Sequence, residues 1–572
     1  MKNNVRYSLS LIPGIFLLLS ISNTYAQLSA TELDRIFAAD AAQGDGHGFA
    51  VDVDGDRAVI GSRFDDDAGN GSGAAYVYLR NPQTGLWEQE TKLVMATAAA
   101  GDNFGSSVAI DGDVIVVGAP QDDIIEVAFK GSAHVFTRGP GGWDNGVELL
   151  PGDENTNSIY ENYGISVDID NGTIVVGVAY DDEKNDGQNS GASGSAYVYE
   201  KVLEDWTMKA RLLPPNTGTN QNFGWSVAID MDTIVIGAPH WTASGEGSAY
   251  VFTRAGGWAD SSSTLPATDN LASDEFGWSV AVSGDIAVVG ARMDDDAVHG
   301  VDSGSITIFE HSSGNWSHKG KFAASNSDLN DRFGTDVATN GEAVIAGASQ
   351  SGSYNRGSFY SFSKSGGVWS EVEEIWPLSS TSNVSTVLQF GTSVALDGGS
   401  LIVGAPGSDI YNGSTFVFLT GAAFVYGLNA TSIPTADGNN DLTIQSPPGT
   451  FLSNVSAIEA DTLGAPPQDV SFPLGALGFS VNGLTPGAAI EVEIEFPEEV
   501  SVSSYYKFSD HWYEFLDDGT TGATVTPGKV TLKLVDGGRG DHDETVNGVI
   551  VDPGAIAAIT ISDTVFEDGF ED

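Results

Sequence analysis

Between residues 47 and 407 one arrangement of apolar and polar positions recurs seven times. A short alternating segment enters a tight turn, and a nearly unbroken apolar run follows, closing on Gly-Ala or its equivalent. The first four copies read HGFAVDVDGDRAVIGS from His47, FGSSVAIDGDVIVVGAP from Phe104, YGISVDIDNGTIVVGVA from Tyr163 and FGWSVAIDMDTIVIGAP from Phe223. The remaining three read FGWSVAVSGDIAVVGAR from Phe276, FGTDVATNGEAVIAGAS from Phe333 and FGTSVALDGGSLIVGAP from Phe390. Their start-to-start spacings are 57, 59, 60, 53, 57 and 57 residues, which marks an internal repeat.

Each copy predicts four strands. The alternating segment is the first, exposed on one face. Asp54-Gly55, Asp111-Gly112, Asn171-Gly172 and Asn340-Gly341 then predict two-residue hairpin turns. The apolar run is the second strand, continuous because both its faces are covered. A third strand follows the pattern of Ala75–Leu79 and Ala249–Thr253, and a fourth opens on Trp and closes on an apolar residue, as in Trp87–Leu93 or Trp206–Leu212. Four antiparallel strands per unit, seven times over, predict an all-β fold: a seven-bladed β-propeller of four-stranded blades. A single such sheet cannot cover both of its faces, whereas a ring of them can.

The seventh copy has a third strand, Ala422–Tyr426, and no Trp strand after it. An orphan segment before the first copy, Glu32–Asp40, resembles the fourth-strand endings. An N-terminal strand is therefore expected to complete the last blade and close the ring, which removes the exposed sheet edges. The aromatic residues of the repeat, Trp included, are read as blade packing.

These repeats resemble the FG-GAP family over roughly residues 32–427, because Phe-Gly and Gly-Ala-Pro stand together, as at Phe104-Gly105 and Gly118-Ala119-Pro120. The resemblance implies the seven-bladed propeller of integrin α-subunits and of their bacterial relatives. Integrin-type blades often carry an Asp-x-Asp-x-Asp-Gly calcium loop between the two elements. Here that interval is only a hairpin turn such as Asp111-Gly112, so those calcium sites do not carry over.

After Tyr426 the period stops, and residues 429–442 read as a linker. Residues 443–562 alternate again, as in Ala489–Phe496 and Lys529–Val535, and predict a small β-sandwich. This segment resembles the bacterial choice-of-anchor domains in Phe472–Val481, Tyr505–Phe515 and Asp536–Gly554. The resemblance implies a module preceding a surface-sorting tail. Residues 563–572 form an acidic tail.

Residues 1–26 combine Lys2 and Arg6 with the apolar run Leu9–Ile21 and small residues Thr24 and Ala26, the build of a secretory signal peptide. That run is interrupted by Pro13 and Gly14 and is shorter than the ~20 residues that span a bilayer. A secreted or cell-surface bacterial protein is expected, without a transmembrane segment once the signal is removed. Cys is absent, so disulfides, Cys-zinc sites and thiol nucleophiles are excluded. With 24 Lys+Arg against 78 Asp+Glu the net charge is −54, which repels phosphate backbones and argues against nucleic-acid partners.

Acids cluster after the Gly-Ala element in several copies. Asp65, Asp67, Asp181, Asp182, Asp294 and Asp296 are candidate oxygen ligands for calcium on one face of the ring. In the C-terminal module Asp536, Asp541, Asp543 and Asp552 fall within a glycine-rich stretch and form a second candidate calcium set. The competing reading is a turn network in which Asx side chains cap backbone amides. Arg539-Gly540-Asp541 spells an integrin-ligand tripeptide and is read as part of the glycine-rich loop.

Nothing in the repeat signals catalysis. Gly224-Trp225-Ser226-Val227-Ala228 resembles a nucleophile elbow, yet it lacks the closing Gly and precedes a strand. The eight His show no metal-ligand spacing. The expected function is non-enzymatic binding or adhesion. A monomer would recognise an extracellular protein or glycan through loops on one propeller face, with Trp241 a candidate contact and calcium the candidate cofactor. The alternatives are a hydrolase or lyase using the central channel, or a display scaffold.

Overall fold

The computed structural model describes residues 30–559, except 82–85, 124–129, 151–160, 182–190, 204, 216–220, 241–244, 259–262, 268–272, 297, 353–354, 366, 378–383, 412–415, 429, 435–440, 448–449, 459–462, 464, 466, 468–469, 483, 485–486, 497–499, 501, 509–510, 540 and 543–548. The signal-peptide segment 1–26, the tail 563–572, and Asp182, Trp241 and Asp543 lie outside the described residues.

Seven antiparallel sheets surround one axis. The first six have their strands in chain order, and their inner strands begin at Ala50, Ser107, Tyr163, Ser226, Ser279 and Phe333. In the seventh, the spatial order is Ala30–Ile36, Ala422–Leu428, Ser400–Ala405, Val394–Asp397. The N-terminal strand is thus the outer strand of the last blade, with Ile36 opposite Ala423 and Arg35 opposite Phe424. The expected closure is what the structure shows.

One contact recurs at six of the seven blade boundaries. The glycine before each third strand bridges the aromatic residue of the next copy: Gly73 with Phe104, Gly131 with Tyr163, Gly194 with Phe223, Gly247 with Phe276 and Gly304 with Phe333. His47 bridges Gly421 in the same way, so the first and seventh blades meet like any other pair. His47 occupies the aromatic slot fully buried, between the Ser62 hydroxyl at 2.8 Å and the Tyr78 hydroxyl at 3.1 Å. Burial lowers its pKa to about 3, so it packs as a neutral ring.

Two outer strands depart from expectation. In blade four the outer strand is Ser263–Leu265, not a strand opening at Trp258. A 3₁₀ turn, Arg254–Gly256, intervenes, and Trp258 has φ +66° with its side chain buried against the blade. In blade two the outer edge is split into Gly142–Trp143 and Val147–Leu149. Blade seven also carries a small extra sheet of Val384–Thr386, Asp409–Tyr411 and Phe416–Val417.

The C-terminal unit is a β-sandwich of two sheets. One contains Ala430–Pro434, Asp441–Gln445, Ala489–Glu495, Lys529–Val535 and Gly522–Thr526, and the other is built around Ile550–Ile559. Between them Ile444, Phe479, Val492, Tyr505, Leu532 and Ile556 form the core. The expected linker 429–442 is corrected by this arrangement. Its first part is strand Ala430–Pro434, which pairs with Asp441–Gln445. The turn-forming residues between these two strands, Asp437-Gly438-Asn439-Asn440 among them, are what made the stretch read as a linker.

Candidate functional site

The residue after each Phe-Gly pair is the least constrained position of the inner strand. It reads Phe49, Ser106, Ile165, Trp225, Trp278, Thr335 and Thr392 around the ring. Its neighbours are fixed by packing. Gly105 has φ +87°, which favours glycine, and the Gly61 α-carbon lies so close to the Gly105 carbonyl that a Cβ there would sit 2.0 Å from that oxygen. On the other side, in five blades, stands a serine whose hydroxyl donates to the next blade's glycine carbonyl. Ser107 bonds Gly164 at 2.9 Å, Ser226 bonds Gly277 at 3.0 Å and Ser393 bonds Gly48 at 3.1 Å. The elbow-like Ser226 is therefore a blade-to-blade fastener.

So anchored, the variable residues ring one end of the axial channel. They join Arg63, Phe64, Arg292, Gln350 and Arg332 to line a cavity of about 870 Å³ that continues down the axis between the inner strands. Aromatic surface and cations interleave there. Trp225 and Trp278 lie with ring centroids 4.8 Å apart, and the Arg292 guanidinium sits 3.0 Å from the Trp278 centroid. Arg63 is held between Phe49 at 3.6 Å and Phe64 at 4.4 Å.

The charges at this mouth differ from those of the chain. Arg292 pairs with Glu275 at 2.8 Å. Arg63 makes no ion pair with any described residue; its Nε is buried without a hydrogen-bond partner, as is the Nε of Arg332. Burial alone pushes the Arg63 pKa down to about 10, which still leaves the guanidinium charged at neutral pH. Deeper in the channel the sign reverses, with Asp52, Asp168 and Asp336 on the inner strands. Each gives an oxygen to an amide of the next blade: Ile110 at 2.7 Å, Ile229 at 2.7 Å and Val394 at 2.8 Å. Burial pushes the carboxyl pKa of Asp168 and Asp336 up to about 7.

The FG-GAP repeat family matches residues 30–78, 87–136, 143–199, 206–252, 260–309 and 369–426, together more than half of the chain. The protein belongs to the FG-GAP repeat family. No curated protein matches it. Among solved structures, one from Bacteroides fragilis described as a 6-phosphogluconolactonase is similar at 12% identity and TM-score 0.38, covering 57% of this chain and 84% of that one. A likeness that weak says nothing of activity.

In this FG-GAP propeller the acids expected as calcium ligands are engaged with cations and hydroxyls of their own blades. Asp65 and Asp67, with Asp40, converge on the Lys92 ammonium at 2.8, 2.6 and 2.8 Å. Asp181 accepts from Arg211 and Ser195, both at 2.5 Å, and Asp294 pairs with Lys321 at 2.7 Å. Asp296 instead holds the amides of Val298 and His299. In the sandwich Asp536 accepts the Gly487 amide, and Asp541 accepts those of Gly537 and Val551. Asp552 is buried against Lys507 at 2.8 Å. Asp536 and Asp541 thus hold backbone amides, and Asp552 holds an ammonium. His240 and Gly245 border a cavity of about 240 Å³.

The sequence reading missed Arg63, Arg292, Arg332, Trp225 and Trp278 as a group. The signal available was the variability of the position after Phe-Gly, which a repeat maintained only by packing need not show.

Proposed function

We propose that this protein is an extracellular, non-enzymatic binding protein that takes a carboxylate-bearing glycan at the mouth of its axial channel. The observation that carries this reading is Arg63, a half-buried cation whose Nε is enclosed and which has no carboxylate partner among the described residues, in a chain of net charge −54. A desolvated guanidinium binds carboxylates strongly and in two-pronged geometry. The half-buried Trp225 and Trp278 supply flat apolar faces beside it, the usual lining of a small-ligand pocket. A concave site of about 870 Å³ suits a few sugar residues better than a flat protein surface.

Secretion rests on the signal-like residues 1–26. No helix among the described residues is long and apolar enough to cross a membrane. The ligand contact does not run through calcium in this reading, since the described acidic loops lie on their own ammonium, guanidinium, hydroxyl and amide donors. A channel hydrolase or lyase would draw its acid and base from Asp52, Asp168 and Asp336. A panel of uronate-containing and neutral polysaccharides, assayed for binding and for turnover, separates the two. Saturable binding of the acidic members without cleavage supports the proposal. Cleavage supports the enzyme, and binding of a protein partner in preference to every glycan contradicts the ligand class.

A further inference from the structure

Blades one, three and five balance charge at one register position, and blade two departs from them. In blades one, three and five the acidic loop after Gly-Ala lies above a pair formed by the third and outer strands. In blade one that pair is Tyr76 opposite Lys92, in blade three Tyr197 opposite Arg211, and in blade five Thr307 opposite Lys321. Each cation meets its blade's loop acid, Asp65, Asp181 or Asp294. In blade six the pair is Tyr360 opposite Glu374, and the loop position is the neutral Ser351. Acid in the loop goes with a cation on the outer strand, and acid on the outer strand with a neutral loop.

Blade two has acid at both places. Asp122 occupies the loop, accepting the Gly131 amide through its backbone oxygen as Asp65 accepts that of Gly73. The pair below it is His134 opposite Glu148. One ligand atom from each of Asp122, His134 and Glu148 falls within 4.8 Å of the other two. Asp122 and His134 are buried, at 8% and 6% exposure, and Glu148 closes the group from the solvent side. The Ser132 hydroxyl lies between, 2.7 Å from the Asp122 carboxylate and 3.0 Å from His134 Nε2, as an orienting outer partner.

We propose that Asp122, His134 and Glu148 form a binding site for a divalent transition metal of the zinc class. The cation supplied by the chain in blades one, three and five is supplied here from solution. One imidazole and two carboxylates favour zinc, cobalt or manganese over calcium, which takes oxygen ligands alone. Three protein ligands leave a coordination position for water or for a ligand's oxygen. The site is separate from the channel mouth and stands independently of the proposed glycan.

Cobalt and zinc titrations of the chelator-treated full chain test this, with calorimetry for stoichiometry and visible absorption for cobalt coordination. Wild type is expected to show one saturable site of higher affinity than the diffuse acidic surface, with cobalt d–d bands that zinc displaces. Glu148→Lys restores the outer-strand cation of blade one, and His134→Tyr places on the third strand the tyrosine that blade one carries there. Each is expected to lose the bands and to weaken the site by more than the roughly tenfold to hundredfold seen when only an outer-shell partner is removed. No saturable site in wild type, or unchanged binding in His134→Tyr, overturns the proposal. If Glu148→Lys fails to fold, His134→Tyr and the wild-type cobalt spectrum still decide it.

Discussion

The Asp54 carboxylate accepts the backbone N–H of Gly112 at 2.6 Å, across the boundary between the first and second blades. The same clasp recurs at three other blade boundaries. Asp170 holds Met231 at 2.6 Å, Asp230 holds Gly284 at 2.5 Å and Asp397 holds Gly55 at 2.7 Å, closing the circle. These four hairpin turns are thus tied to the preceding blade by a charge-assisted bond. Asp54→Ala leaves the Gly112 amide to water and is expected to lower stability by about 1–2 kcal/mol, the scale for a hydrogen bond to a charged group partly open to solvent. Urea unfolding of the two proteins measures it. An unchanged midpoint would mean the clasps follow from the ring and do not help to hold it.

Raised carboxyl pKa values along the channel make stability depend on pH in a defined direction. An unfolded aspartate releases its proton near pH ~4. Asp168 and Asp336 hold theirs in the fold up to about 7, because burial disfavours the charged form. Between those values the folded protein carries more protons than the unfolded chain, so their contribution falls as pH rises from ~4 to about 7 and is flat above. Asp168→Asn removes one such group while keeping an oxygen for the Ile229 amide. Melting temperature followed across that window is expected to fall less steeply in the variant than in wild type. A parallel pair of curves would contradict the burial of an ionisable Asp168.

Lys92 holds together three carboxylates that otherwise repel. Lys92→Met is expected to cost about 1–3 kcal/mol and to leave Asp40, Asp65 and Asp67 facing a centre without a cation. Millimolar calcium should then raise the melting temperature of the variant, since a ligand bound only by the folded form adds stability. Wild type should respond by less than ~1 °C through this blade. Calcium stabilisation of wild type equal to that of the variant would show that the ammonium does not fill the site.

Most of the fold was legible in the chain, and the grouping at the channel mouth was not. The seven copies, their hairpin turns and the missing outer strand after Tyr426 determine a closed ring, because each expresses a local pattern of alternation or turn chemistry. Even the closure could be read, since Glu32–Asp40 resembles the ending of an outer strand, and the structure places that strand at Ala30–Ile36. The mouth of the channel depends on a different kind of information. Arg63, Trp225, Trp278 and Arg332 are scattered over nearly half of the chain and meet only because the ring returns each blade to one axis. The acidic loops show the same gap on a smaller scale. Asp65 is visible in a run of acids, but its partner Lys92 is brought beneath it by the register of two strands, with Tyr76 opposite Lys92. Local alternation carries no trace of that pairing.

Affinity for a uronate oligosaccharide, measured by titration calorimetry on wild type and on Arg63→Ala, Arg332→Ala and the double variant, tests the channel-mouth reading most directly. A neutral sugar of the same length serves as control. The account predicts saturable binding of the acidic sugar only, weakened about tenfold (~1.4 kcal/mol) or more by each single substitution and lost in the double variant. Equal binding of the neutral sugar, or an acidic-sugar affinity untouched by removing both arginines, would contradict it.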